Sequence, residues 1–336
     1  MHSKNAHTPR RTIGRALLGL PLAAALAGIG YSRLFVDHAL PLPPALAGER
    51  RELSGRAGRL SYYVAGQGEP LLLVHSVNAA ASAYEMLPLY DNYRATRRVY
   101  ALDLPGFGFS DRSAREYTPR LYADAILDML DEIRRDTGAD SVDALALSLG
   151  SEFLARAASE QPHRFESLAL VAPTGLRKND TLEGQPESVR GSPGTRRFFE
   201  FAPWSRPFYD LLTSRPSMRY FLAKTFGSDD FDQGLLDYGY ISAHQPGAQH
   251  APYAFVSGML FSADITRIYQ SLTMPVYAAH GVRGDFTDYG GLGGLAERRG
   301  WLVQEFNTGA MPYFELPDQF IAGYDAFLQR VPANSR

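Results

Sequence analysis

There is no cysteine among the 336 residues. That excludes disulfides, thiol nucleophiles and cysteine-bound zinc, and leaves the redox compartment open. A charge excess is also lacking: 34 Lys and Arg stand against 36 Asp and Glu. Nothing electrostatic therefore recruits nucleic acid. No histidine–carboxylate cluster has the spacing of a metal site. Gly291-Leu292-Gly293-Gly294-Leu295-Ala296 imitates a dinucleotide loop, but it does not directly follow a strand pattern, so it reads as a surface loop. No metal and no cofactor are expected. Long hydrophobic runs are missing except at the N-terminus.

That one run carries information. Lys4, Arg10, Arg11 and Arg15 precede an uncharged stretch from Ala16 to Ser32, and the first acidic residue is Asp37. A basic start followed by an apolar run is an export signal or a membrane anchor. The positive charge holds the N-terminus inside and sends the remainder across. Ala25-Leu26-Ala27 is a candidate cleavage site. Residues 1–36 are read as this segment, and the protein as exported: membrane-anchored with its domain outside the cytoplasm, or periplasmic or secreted if cleaved. Residues 37–51 contain Pro41, Pro43 and Pro44 and are read as an extended linker.

Further along, short apolar runs alternate with helical patterns. Strands are expected at 60–64, 70–74, 98–102, 141–147, 167–172, 275–279 and 301–306. Helices are expected from about Ser82, ended or kinked by Pro88, from an opening at Tyr117-Thr118 through Leu121 to Ile133, after Ser148, and from Pro317 to Leu328. Between Thr174 and Leu272 strand-like runs vanish and aromatics cluster. The pattern predicts an α/β fold: a mostly parallel sheet with helices on both faces. Residues 52–173 and 273–336 form its core. A helical cap, residues 174–272, is inserted before the penultimate strand, over the carboxyl edge where such sheets bind ligands.

The apolar run Val142 to Leu147 reaches Ser148, flanked two positions away by Ala146 and Gly150. An amphipathic stretch, Glu152 to Ala158, follows at once. This reads as strand, sharp turn and helix, with small residues where larger ones would clash as the chain reverses. It is a nucleophile elbow, G-x-S-x-G, with alanine for the first glycine. A turn serine can give the same pattern, so the surrounding segments decide its meaning.

Those segments are Leu73-Val74-His75-Ser76, Asp103 to Ser110 (DLPGFGFS), Ala146 to Gly150, Leu168 to Pro173 and Pro317-Asp318-Gln319-Phe320. In this order, over roughly Leu60 to Val331, the chain resembles the α/β-hydrolase fold superfamily. The resemblance implies Ser148 as nucleophile and an oxyanion hole formed by the backbone amides of Leu149 and Val77. Ser76 stands where the family usually has glycine. The family's carboxylate position after Gly281 falls on Gly284, so Asp285 is assigned, with Asp288 as the alternative. The general base is a histidine before the last helix, in Gly-His; here the stretch is Gly309-Ala310-Met311-Pro312, and the base position holds Ala310. A methyl group cannot take the serine's proton.

Other histidines could substitute: His244 or His250 from the cap, or His280. His75 and His163 match structural positions, and His2, His7 and His38 lie outside the domain. Two functions follow. One is an exported or membrane-anchored hydrolase acting through Ser148 on an ester-like or small apolar substrate. The other is a non-catalytic relative that binds a small apolar ligand or a partner under its cap. The expected partners are a small molecule and, if residues 1–36 are retained, a membrane; no nucleic acid is expected.

Overall fold

The computed structural model describes residues 28–331. The basic N-terminal residues and most of the apolar run lie outside that range. Residues 28–35 form a helix, α1. No helix among the described residues is long and apolar enough to cross a membrane.

Eight strands form one sheet in the order β1-β2-β4-β3-β5-β6-β7-β8. They are β1 (Glu49–Gly55), β2 (Gly58–Ala65), β3 (Pro70–Val74), β4 (Arg98–Asp103), β5 (Val142–Leu147), β6 (Phe165–Val171), β7 (Val276–Gly281) and β8 (Trp301–Phe306). The two pairings of β2, with β1 and β4, are antiparallel; the rest are parallel. β3 is buried at all five positions. A parallel strand between two helical layers must be apolar on both faces, and Pro70-Leu71-Leu72-Leu73-Val74 meets that demand.

Helices α2 (Leu87–Tyr93), α3 (Pro119–Thr137) and α4 (Gly150–Glu160) connect the first strands. α3 is bounded cleanly. The Thr118 hydroxyl accepts from the Leu121 N–H, and Gly138 closes the helix in the left-handed conformation. Between β6 and β7 the chain forms α5 (Pro193–Glu200), α6 (Ser205–Leu212), α7 (Arg215–Phe226), α8 (Gln233–Ala243), α9 (His250–Val256) and α10 (Ile265–Ser271). The chain closes with α11 (Leu292–Ala296), α12 (Pro312–Glu315) and α13 (Pro317–Leu328).

Three local readings change. β1 begins at Glu49, inside the stretch read as linker to residue 51. Its sequence, ERRELSG, is an exposed edge with only Leu53 buried, so no apolar pattern marks it. Pro88 neither ends nor kinks a helix. A 3₁₀ turn over Ala83–Met86 precedes it, and Pro88 sits in the first turn of α2, where its missing N–H costs nothing. Residues 291–296 are not an open loop: they hold α11, whose Leu292 and Leu295 are buried.

Candidate active site

β5 ends at Leu147 and α4 starts at Gly150, so the reversal falls on Ser148 and Leu149. Ser148 has φ 53°, in the left-handed region. For a residue with a Cβ this costs about 1–3 kcal/mol and persists only where surroundings enforce it. Here the Ser148 N–H donates to the Val171 carbonyl at 2.7 Å, and the Ser148 carbonyl accepts from the Ser151 N–H at 3.0 Å. Gly150 is required by the same geometry: a Cβ there would stand 2.5 Å from the His75 carbonyl oxygen. Ser148 is partly exposed. Among the described residues its ties are those of its backbone, and no side chain hydrogen-bonds its Oγ.

Val74 is in register with Ala146, so residues 75–78 leave the sheet beside the elbow. Val77 and Leu149 are both buried. Neither backbone N–H has an acceptor among the described residues. Leu149 caps α4, where the unpaired amides and the helix dipole favour negative charge. Two donors of this kind can stabilise an oxyanion.

The loop that carries Val77 is clamped by a residue the sequence reading missed. The Glu85 carboxylate is buried and accepts from the Ser76 N–H at 2.8 Å, the Ser76 hydroxyl at 3.0 Å and Asn78 Nδ2 at 2.9 Å. Burial pushes its carboxyl up, against these bonds. Ser76 takes the usual glycine's place because its φ is not positive, and its hydroxyl is used in the clamp. A signal was present: Ser82-Ala83-Tyr84-Glu85 has the S-x-x-E spacing of a capping box. The glutamate reaches the loop instead.

His75 serves the same loop. Its Nε2 accepts from the Leu104 N–H at 2.9 Å and its Nδ1 lies 2.5 Å from the Ser76 carbonyl oxygen. Burial brings its pKa down to about 4, with the Ser76 bond opposing. It is neutral at neutral pH, with both ring nitrogens engaged.

The loops beyond β7 and β8 are built differently. The Ala310 N–H donates to the Thr225 carbonyl at 2.9 Å, and the Asp285 N–H to the Lys224 carbonyl at 3.0 Å. Both acceptors are last-turn carbonyls of α7. A Cβ on Gly309 would meet Phe226 Cα at 2.4 Å, and one on Gly284 the Lys224 oxygen at 2.4 Å. The two loops thus seat the C-terminus of a cap helix. The Asp285 side chain is exposed and faces Lys224 Nζ at 3.4 Å. Asp288 accepts from the Lys178 and Gly290 N–H groups, which hold its carboxyl below the usual range. Among the described residues neither carboxylate bonds to a histidine.

The remaining histidines among the described residues lie on other elements. His280 is buried, stacks on Tyr289 with centroids 4.3 Å apart, and has Nδ1 3.1 Å from the Gly281 carbonyl oxygen. His244 Nδ1 lies 2.6 Å from the Tyr240 carbonyl oxygen. His38 Nε2 faces Asp210 at 2.9 Å. His250 opens α9 and His163 is exposed on the turn before β6. None is hydrogen-bonded to Ser148. No group of three or more His, Asp or Glu is arranged to hold a metal among the described residues.

A second buried carboxylate joins the elbow to the inserted segment. Glu152, in the first turn of α4, accepts from Thr174 Oγ1 at 2.6 Å, Arg190 Nη2 at 2.8 Å and the Ser262 N–H at 2.8 Å. These contacts fasten both roots of the insertion to the elbow helix.

Comparisons with known proteins bear on the fold and the family. The chain is 23% identical over 269 residues to a pimeloyl-(acyl-carrier protein) methyl ester esterase of Nitrosomonas europaea, covering 78% of this chain and 96% of that one. It is 27% identical over 128 residues to a 2-hydroxymuconate semialdehyde hydrolase of a Pseudomonas species. That match covers 38% of this chain and 44% of the relative's length. The structure of a probable hydrolytic enzyme from Pseudomonas aeruginosa superposes with a TM-score of 0.67 at 20% identity, covering 87% of this chain and 98% of that one. Residues 69–254 match the α/β hydrolase fold family, and the chain belongs to that family.

Proposed function

We propose that the chain is an exported or membrane-anchored hydrolase-fold protein whose Ser148 attacks an ester-like or small apolar carbonyl compound, without the usual imidazole base. The observation that carries this reading is the strained Ser148 beside two buried, unpaired amides, on Val77 and Leu149. Such strain is costly to keep, and amides left without acceptors are wasted unless an anion visits them. The esterase and hydrolase relatives support a carbonyl substrate, and the basic-then-apolar N-terminus supports export or anchoring.

Without a base, an acyl transfer is slow. Losing the histidine alone costs subtilisin about 10⁶ in kcat, and a residual 10³–10⁴ over water remains from the oxyanion hole and binding. The expected behaviour is slow capture of strongly activated acyl or phosphonyl compounds. A fluorophosphonate probe should label the wild-type protein at Ser148, and Ser148→Ala should abolish the labelling. A folded wild-type protein that stays unlabelled across the pH range of its stability would overturn this reading.

A second reading, a non-catalytic binder of a small apolar ligand or a partner under the cap, is favoured by a specific observation. Ala310 occupies the base position, and Asp285 turns towards Lys224. Failure of labelling, together with saturable binding of an apolar ligand that Ser148→Ala leaves unchanged, would select it.

A further inference from the structure

Eleven large hydrophobic side chains are exposed among the described residues. Nine of them lie on α1, α5, α6, α7 and the turn between α5 and α6. Six belong to the inserted helices: Phe198, Phe201, Trp204, Leu211, Tyr220 and Phe221. Several of them are in mutual contact. Phe198 and Phe201 meet Trp204 with centroids 5.1 and 4.5 Å apart, and Tyr220 meets Phe221 at 5.4 Å. α5 contains no buried residue at all. Scattered apolar residues on a surface need no explanation, but a cluster of aromatics on successive helices marks an interaction site.

Two observations say what covers it. The first is charge. Residues 193–226 hold six Lys and Arg against two acids, Glu200 and Asp210, in a chain whose net charge is −2. Both acids pair with an arginine of their own helix, Arg196 and Arg206. Arg197 and Arg219 are exposed with no carboxylate partner among the described residues, whereas Arg215 pairs with Asp237 and Lys224 with Asp285. The second is continuity. α1 exposes Tyr31, Leu34 and Phe35, and it is tied to α6: the Ser32 hydroxyl donates to Asp210 at 2.5 Å, and His38 faces the same carboxylate. Gly28, the first described residue, thus opens a helix held against α6.

We infer that this face of the cap docks on an anionic lipid bilayer, its aromatics entering the headgroup boundary and Arg197 and Arg219 meeting lipid phosphates. Aromatic side chains with apolar bodies and polar tips suit that boundary. Lys and Arg beside them add electrostatic attraction to anionic lipid. The docking uses none of the groups at Ser148, so it stands or falls apart from the proposed chemistry.

The chain contains two tryptophans, and only Trp204 lies on this face; Trp301 is buried in β8. The full chain carrying Trp301→Phe is reconstituted in phosphatidylcholine–phosphatidylglycerol vesicles with brominated acyl chains. Trp204 emission should fall at least about two-fold relative to unbrominated vesicles, as expected for an indole at the interface. Arg197→Gln and Arg219→Gln should each shift the docked population about five-fold towards the undocked state. Trp204→Phe in the otherwise natural chain should leave emission unquenched. A vesicle-bound protein whose Trp204 is not quenched is held by its N-terminus alone, and that result overturns the inference. So does a blue-shifted, unquenched Trp204 in a protein that is dimeric without vesicles, because a second copy then covers the face.

Discussion

The loop after β3 and the loops after β7 and β8 leave the same edge of one sheet, yet they are put to different uses. The β3 loop is rigid and inward. Glu85, Asn78 and His75 fix it, and its Val77 amide lies unpaired beside the equally unpaired Leu149 amide. The other two loops spend their amides on α7, as Asp285 and Ala310 bind the carbonyls of Lys224 and Thr225. One side of the elbow leaves two backbone amides without acceptors among the described residues. On the other side, two backbone donors hold down the cap.

Restoring a base beside the elbow should have the largest effect. Ala310→His should raise Ser148-dependent turnover of an activated ester on the order of 10²-fold. That is the gain expected when an imidazole is regained without an orienting carboxylate, by analogy with the separate subtilisin knockouts. The double variant with Ser148→Ala provides the reference. A folded Ala310→His protein with no such gain would mean that residue 310 does not face Ser148.

The rigidity of the β3 loop can be read from pH. The His75 imidazole has its ordinary pKa of 6.5 when unfolded and about 4 when buried. Between these values the unfolded chain holds the extra proton. His75 thus contributes full stability above pH 6.5, lost as pH falls towards 4, by about 3 kcal/mol. Denaturant titrations at pH 7 and pH 4.5 should show this loss in wild type. His75→Gln, which keeps an acceptor for the Leu104 N–H, should lose less. An unchanged pH slope in the variant would show that the loop is not held by a neutral His75.

The smallest effect is expected at Asp285. Its pair with Lys224 is exposed on both sides. Asp285→Asn should therefore change stability by no more than about 0.5 kcal/mol and leave the fluorophosphonate labelling rate unaltered. A tenfold drop in labelling would instead place Asp285 in the chemistry of the elbow.

Much of the fold was readable because parallel strands between helical layers have to be apolar. β3, β8 and α13 fall where the patterns place them. The edge strand β1 was not readable, since Glu49-Arg50-Arg51-Glu52 owes its conformation to pairing with β2 and not to burial. Of the site, Ser148 and its neighbours could be located because a tight reversal limits residue size locally. Glu85 and Glu152 could not, because each acts on atoms brought close only by folding: the loop after β3 in one case, the roots of the cap in the other.

The layered α/β architecture, the turn at Ser148 and the methyl side chain at Ala310 can all be read from the residues alone. These rest on periodicity, local sterics and side-chain identity, which need no partner. Only the tertiary structure decided that the amides of Val77 and Leu149 stay unpaired, and that those of Asp285 and Ala310 are taken by α7. Every non-proline residue carries the same backbone donor, and folding alone assigns each its acceptor.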